Sequence, residues 1–307
     1  MGRYVARRLL LTIPVMLGAS FLIFAMVFAL PGDPIAALAG DRPIAPAVAA
    51  QLRDDFNLGD PLWLQYAKYV GDLVQGDFGT DFAGRPVLDT ILQRLPVTAK
   101  LALVAVLFEI VIGIVAGVLA GIRRNSFFDN LVLVSTTIVV SVPILVLAFL
   151  AQFVFGLKLE LFPIAGVRDG WYSYLLPGLV LAAGSVAYVA RLTRTSMAEN
   201  LRADYVRTAR AKGLKPSTVV VRHTLRNSLI PVVTFIGADI GTLMGGAIVT
   251  ETVFNIPGIG RAVFESIQRQ EGAVVVGIVT LLVFFFIFFN LVVDVLYAVL
   301  DPRIRYD

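Results

Sequence analysis

The chain has 307 residues, of which 58% are hydrophobic and 16% charged, and its mean hydropathy is +0.83; ordinary soluble domains carry roughly 25% charged residues, so a soluble enzyme is excluded and a bilayer protein is expected. There is no cysteine and one histidine, His223, which removes disulfides, thiol catalysis, Fe–S clusters, Cys-ligated zinc and multi-His metal sites, so no metal site and no catalytic residue is read. The net charge of +4 becomes informative only once it is divided between the two sides of a membrane.

Crossing about 30 Å of hydrocarbon takes about 20 apolar residues, and six runs qualify: 9–30, 98–121, 130–155, 174–192, 228–249 and 273–300. The first follows Arg3, Arg7 and Arg8, exceeds a signal-peptide core in length and lacks a small-residue cleavage site directly after it, so an uncleaved anchor is expected. Segment 31–97 begins with the turn Pro31-Gly32-Asp33-Pro34 and carries amphipathic runs at 48–56 and 62–74, the second with Leu62, Tyr66, Tyr69 and Leu73 at helical spacing. It then reaches the turn Gly76-Asp77-Phe78-Gly79. A small helical cap follows, either packed on its own bundle or docking an external partner.

Gly113, Gly117 and Gly121 in the second span, and Gly237, Gly241 and Gly245 in the fifth, recur every four residues and predict close helix packing, within the chain or against another subunit. Pro143 predicts a kink in the third span. Segment 191–227 holds nine basic residues against Glu199 and Asp204. Asp204 is expected to N-cap a short helix over 205–212, which Gly213 ends in the left-handed conformation. Pro216 then breaks the chain, and Ser217 starts another short helix through His223. Lying between two spans, the first of these helices is a lever arm.

Six spans place both termini on one side. With the N-terminus inside, sixteen of the 26 basic residues face five acids there, ten face fourteen acids outside, and three acids lie in spans. The positive-inside rule predicts cytoplasmic N- and C-termini. The juxtamembrane arginines set topology and meet lipid phosphates, and no nucleic acid is expected. The span acids are Glu109, Asp239 and Asp294, and an ion at mid-bilayer costs roughly 2.5–3.5 kcal/mol, so such groups face protein or water. Asp239, between Gly237 and Gly241, is the candidate for a pathway-facing group, with structural pairing as the alternative. Glu109 is expected to have an arginine partner on another helix, and Asp294 to reach the interface.

The run from Tyr205 to Leu214, YVRTARAKGL, followed by Arg222 to Thr234, RHTLRNSLIPVVT, resembles the cytoplasmic loop of binding-protein-dependent ABC importer permeases. It is most similar to the B-type permeases of the dipeptide, oligopeptide and nickel branch. The family motif reads EAA, three residues, then Gly; here the three letters fall on Arg207, Thr208 and Ala209, so the second Ala and Gly213 match. The resemblance extends along the chain through Pro31-Gly-Asp-Pro34, Gly76-Asp-Phe-Gly79, Arg94-Leu-Pro-Val-Thr98 and the run from Gly241 to Gly260, GTLMGGAIVTETVFNIPGIG. It departs at Arg269 to Val276.

The resemblance implies an all-α membrane protein with the type I ABC importer permease fold. Residues 1–30 would be the cytoplasmic N-terminus and first span, 31–97 an extracytoplasmic helical loop, 98–300 the permease core with its coupling loop at 191–227, and 301–307 a cytoplasmic tail. It also implies a second homologous permease, two ATPase subunits or domains and an extracytoplasmic substrate-binding protein. No Gly-x-x-x-x-Gly-Lys-Ser/Thr sequence is present, so no cofactor is expected in this chain, with ATP and Mg held by its partners. Arg207, Thr208, Ala209, Arg210, Lys212 and Gly213 would couple to the ATPase, Ala209 and Gly213 by letting the short helix approach closely. The loop at 251–271, through Glu251, Phe254, Asn255, Pro257 and Gly258, would meet the binding protein. The implied cargo is di- or oligopeptides, with nickel complexes, haem or another small solute as alternatives. A stand-alone secondary transporter is the rival from another class; it predicts internal repeats and a midplane ion site, and no repeat is evident. An intramembrane enzyme would need a nucleophile and base at one depth, which one histidine and three scattered carboxylates do not supply.

Overall fold

The computed structural model describes residues 2–28, 50, 53, 57 and 59–300. The turn at 31–34, nearly all of the run at 48–56, the tail 301–307 and the side chain of Asp294 lie outside the described residues. In chain order the helices are α1 (Gly2–Phe28), α2 (Leu62–Val74), α3 (Val87–Phe108), α4 (Ile114–Ile122), α5 (Phe127–Ser141), α6 (Ile144–Ala151), α7 (Leu175–Asn200), α8 (Asp204–Ala211), α9 (Arg226–Val253), α10 (Ile259–Gln268) and α11 (Gly272–Leu300). A π turn at Glu109–Gly113 joins α3 to α4 as one long rod. A second, Gln152–Lys158, extends α6, and a third, Val219–Leu225, leads into α9.

Among the described residues, five helices are long and apolar enough to cross a membrane, and a sixth span exists if α5 and the α6 segment, bent by 106°, count together. Pro143 therefore breaks the third span instead of kinking it. Val142 adopts an extended conformation (φ −95°, ψ 126°) and Pro143 stands at the N-terminus of α6. The cause is local: proline drives its predecessor out of the helical region and cannot donate an N–H.

The bundle centres on α7. A Cβ added at Gly113, Gly117 or Gly121 would lie 2.7, 2.5 or 2.7 Å from side-chain carbons of Val189, Thr193 and Met197. At Gly178 on α7 it would meet Val104 at 2.6 Å. In α9, Gly237 faces Val293 at 2.7 Å and Gly241 the Phe286 backbone at 3.0 Å, whereas Gly245 meets nothing within 4 Å. Five of the six striped glycines thus serve packing within the chain.

The tyrosine face of α2 lies on α1. The Tyr66 hydroxyl donates to Leu17 O at 2.8 Å and sits 2.9 Å from Ser20 Oγ, while its ring meets Phe21 and Phe24. Tyr69 also packs on Phe24. The following turn is built around Asp81, whose carboxylate accepts hydrogen bonds from Ala83 N, Arg85 N and Arg85 Nε at 2.8–2.9 Å. That turn lays the backbone of Phe78 against Gly277, where a Cβ would approach Phe78 O to 2.6 Å.

Candidate coupling loop and membrane cleft

The helix α8 presents two faces. Val206 and Ala209 are buried with Val219 in a small cluster, while Arg207, Thr208, Arg210 and Lys212 are exposed. Ala209 therefore faces its own chain, only 5% exposed, and does not offer a close-approach surface to a partner. Asp204 is the first helical residue, not the N-cap; Ala203 occupies that position without a side-chain cap. Its carboxylate instead pairs with Arg207 at 3.5 Å. Gly213 ends the helix at φ +75° with nothing within 4 Å of an added Cβ, and Leu214 N bonds to Ala209 O at 3.3 Å. Within the chain the glycine is required by the left-handed closing turn and by no tight contact.

Beyond it, Pro216 starts a helical segment as its first residue and does not merely interrupt the chain. That segment passes through the π turn into α9, so the helix that follows the lever, separated from it by the turn at 212–215, is continuous with the fifth span. A polar relay fastens the other side. Tyr205 Oη donates to Asn200 Oδ1 at 2.5 Å, and Asn200 Nδ2 donates to Ser196 O at 2.9 Å and Ser228 Oγ at 3.1 Å. Ser196 lies on α7 and Ser228 on α9. The sequence gives no periodic signal for this relay.

At the same end, Arg194 on α7 forms a two-toothed pair with Asp129 at the start of α5. Its Nε meets Oδ1, and Nη2 reaches Oδ2 at 2.9 Å. Asn125 N also donates to Asp129 at 2.7 Å, and Ser126 Oγ accepts from Asp129 N at 3.3 Å. The Ser-x-x-Asp spacing at 126–129 was the legible hint of a helix start; the partner arginine, 65 residues away, was not. Arg194, one of the nine basic residues counted in segment 191–227, is thus committed to structure.

Within the membrane, the break in the third span opens a cavity of about 290 Å³, lined in part by Val142, Leu147, Gly184, Ser185 and Thr242. Ser185 Oγ donates to Asp239 Oδ2 at 2.5 Å. Asp239 is buried behind this wall. Glu109 is fully buried and neither carboxylate oxygen has a hydrogen-bond partner; among the described residues the expected arginine partner is absent.

The segment after α9, expected as a loop, folds as a turn followed by α10. Glu251, Phe254 and Gly258 are buried, while Asn255 and Pro257 are exposed. Only the last two are open to an external partner.

Two family models cover most of the chain: the binding-protein-dependent transport system inner membrane component over residues 113–306, and the N-terminal part of the same system's membrane component over 1–102. The chain belongs to this family. Among its relatives are the dipeptide transport system permease protein DppB of Alkalihalophilus pseudofirmus, 37% identical with 99% of each chain covered, and the glutathione transport system permease protein GsiC of Escherichia coli, 42% identical over the whole of both. The Salmonella typhimurium GsiC is 40% identical, also over both full chains. It is a multi-pass protein of the bacterial inner membrane and a non-catalytic permease subunit of an ABC importer, with ATP hydrolysis residing in separate partner subunits.

Proposed function

We propose that this permease, paired with a second homologous permease, forms the path for di- or oligopeptides delivered by an extracytoplasmic substrate-binding protein, driven by two ATPase subunits or domains that bind ATP and Mg. Both termini and α8 are then cytoplasmic, and α10 lies on the outer side. The observation that carries this reading is the two-faced α8: apolar side chains turned into its own chain, Arg207, Arg210 and Lys212 turned out, and both ends tied to the fourth and fifth spans. Acidic groups on an ATPase surface complement the outward face, and movement of α8 is transmitted through the Tyr205–Asn200–Ser228 relay and the packing of Val206 and Ala209 on Val219, at the head of the helix that runs into α9. The cleft at the broken third span, with Ser185, Asp239 and Thr242, is the wall of the path. Asn255 and Pro257 meet the binding protein.

Relatives named for dipeptides and glutathione support a peptide cargo. Reconstituting the whole transporter and measuring ATPase stimulation by its binding protein loaded with dipeptides, longer peptides, glutathione, nickel complexes or haem tests this. Stimulation by the last two alone would overturn the peptide reading. Docking is tested separately by the double charge reversal Arg207→Glu, Arg210→Glu, which is expected to abolish co-purification of the ATPase while leaving the permease folded.

A further inference from the structure

The first three backbone N–H groups of α10 (Ile259–Gln268) have no carbonyl behind them, as at every helix start, and here they meet side chains from α3 and α9, with Ile259 and Gly260 buried and Arg261 half-buried. Ile259 N donates to Thr98 Oγ1 at 2.8 Å. Arg261 N donates to Glu251 Oε2 at 2.9 Å, and the Gly260 N–H adds its dipole to the same carboxylate. Thr98 Oγ1 in turn donates to Glu251 Oε1 at 2.6 Å. Thr98 lies on α3 and Glu251 on α9, 153 residues apart. Glu251 and Thr98 are both fully buried.

The backbone is fitted to this knot. A Cβ on Gly258 would fall 2.2–2.4 Å from the Glu251 carboxylate, and one on Gly260 would meet the Ile248 backbone at 2.6–2.7 Å. A second tie, Arg94 Nη2 to Glu265 at 3.2 Å, joins α3 to the middle of α10. The positive end of the helix dipole meets the carboxylate, adding to the hydrogen bonds.

We propose that Thr98 and Glu251 are positioning residues that clamp α10 to the middle of α3 and the end of α9, so that the three move as one rigid block. A load placed on α10 then reaches the second and fifth spans without loss in a loop. The proposal rests on the importer reading only for the partner that applies the load.

The chain has no cysteine, which makes paired spin labels straightforward. Leu92 on α3 and Ile267 on α10 are both exposed. In the assembled transporter, the distance between labels at Leu92→Cys and Ile267→Cys is expected to be the same without nucleotide and after trapping with ATP and vanadate, while a Lys212→Cys to Ile267→Cys pair registers the switch. A change in the first pair of more than about 5 Å, the size of a one-turn slip, overturns the clamp. Thr98→Val, which keeps the shape and removes the hydroxyl, is expected to broaden the first distance and lower uptake about tenfold, since it strands Ile259 N–H and one Glu251 oxygen. Basal ATPase activity persists, and Thr98→Ser restores the wild-type distance. Wild-type distance and uptake in Thr98→Val would overturn the proposal, and if that variant does not assemble, the wild-type label pair decides. If the wild-type chain fails to co-purify with an ATPase, the importer reading falls instead, and the Val against Ser comparison in nanodiscs of the chain alone still decides the clamp.

Discussion

Gly213 ends α8 in the left-handed conformation that the sequence predicted. Its φ of +75° lies where an L side chain costs roughly 1–2 kcal/mol, yet an added Cβ touches nothing in the chain. Substitutions are therefore expected to rank by backbone tolerance: Asn close to wild type, Ala weaker, Val worst, because Asn visits the left-handed region and β-branched residues do not. Uptake by the transporter carrying each of the three variants measures this; equal loss in Asn and Val would point to bulk at a docked surface. Arg194 is a different case. Removing it strands the Asp129 carboxylate, which is fully buried, and breaking such a pair from one side costs about 3–5 kcal/mol. Arg194→Ala is expected to lower the melting temperature of the purified transporter strongly, whereas Arg207→Ala, whose side chain is 81% exposed, leaves it unchanged.

Elements were legible in the sequence where periodicity or length alone defines them. The apolar runs predicted the spans, and the stripe at 113, 117 and 121 predicted close packing, because small residues four apart share a helix face. What stayed hidden depends on partners distant in the chain: the second span begins eleven residues before its apolar run, at Val87, because Val87 and Ile91 pack under α10. The severity of the break at Pro143 was hidden too, since a proline kink and a full break read alike. Pro143→Ala frees Val142 to become helical. Spin labels at Val134→Cys and Leu150→Cys are then expected to separate toward about 24 Å, the length of a continuous helix of that span, from a shorter bent distance, with uptake reduced as the cleft closes. An unchanged distance would mean that packing, not proline, holds the bend. The Asp81 turn titrates. Burial pulls its carboxyl upward, but hydrogen bonds from Arg85 and Ala83, with the Arg85 charge, outweigh that and hold it below the ordinary aspartate value of 3.8. Because the folded value is depressed, the stabilisation is fully present above the ordinary value of 3.8 and lost as pH falls through the folded one. Amide protection at Ala83 and Arg85 is expected to drop on acidification and to be pH-independent in Asp81→Asn.

For the whole molecule, the surface divides by chemistry. Leu103, Leu107, Val111, Val115 and Leu119 recur every four residues along the α3–α4 rod and are all exposed, a continuous apolar ridge suited to acyl chains. Polar side chains collect elsewhere. Ser135, Thr137 and Ser141 are exposed on α5, and Thr242 is exposed on α9 at the cleft. The first three return their hydroxyls to carbonyls three or four residues back, at 2.7–3.2 Å, so polarity alone does not exclude lipid there. The cleft differs because Asp239 stands behind Ser185, and a carboxylate in the span calls for water or protein beside it. In the cysteine-free chain this is testable residue by residue. A membrane-impermeant thiol reagent is expected to modify Thr242→Cys in the assembled transporter, with a rate that changes on ATP binding, and to leave Leu107→Cys untouched in every state. Equal labelling of the two would remove the cleft from the path. Labelling of Thr242→Cys that ignores ATP would keep the cleft wet but separate it from the motion proposed for α8.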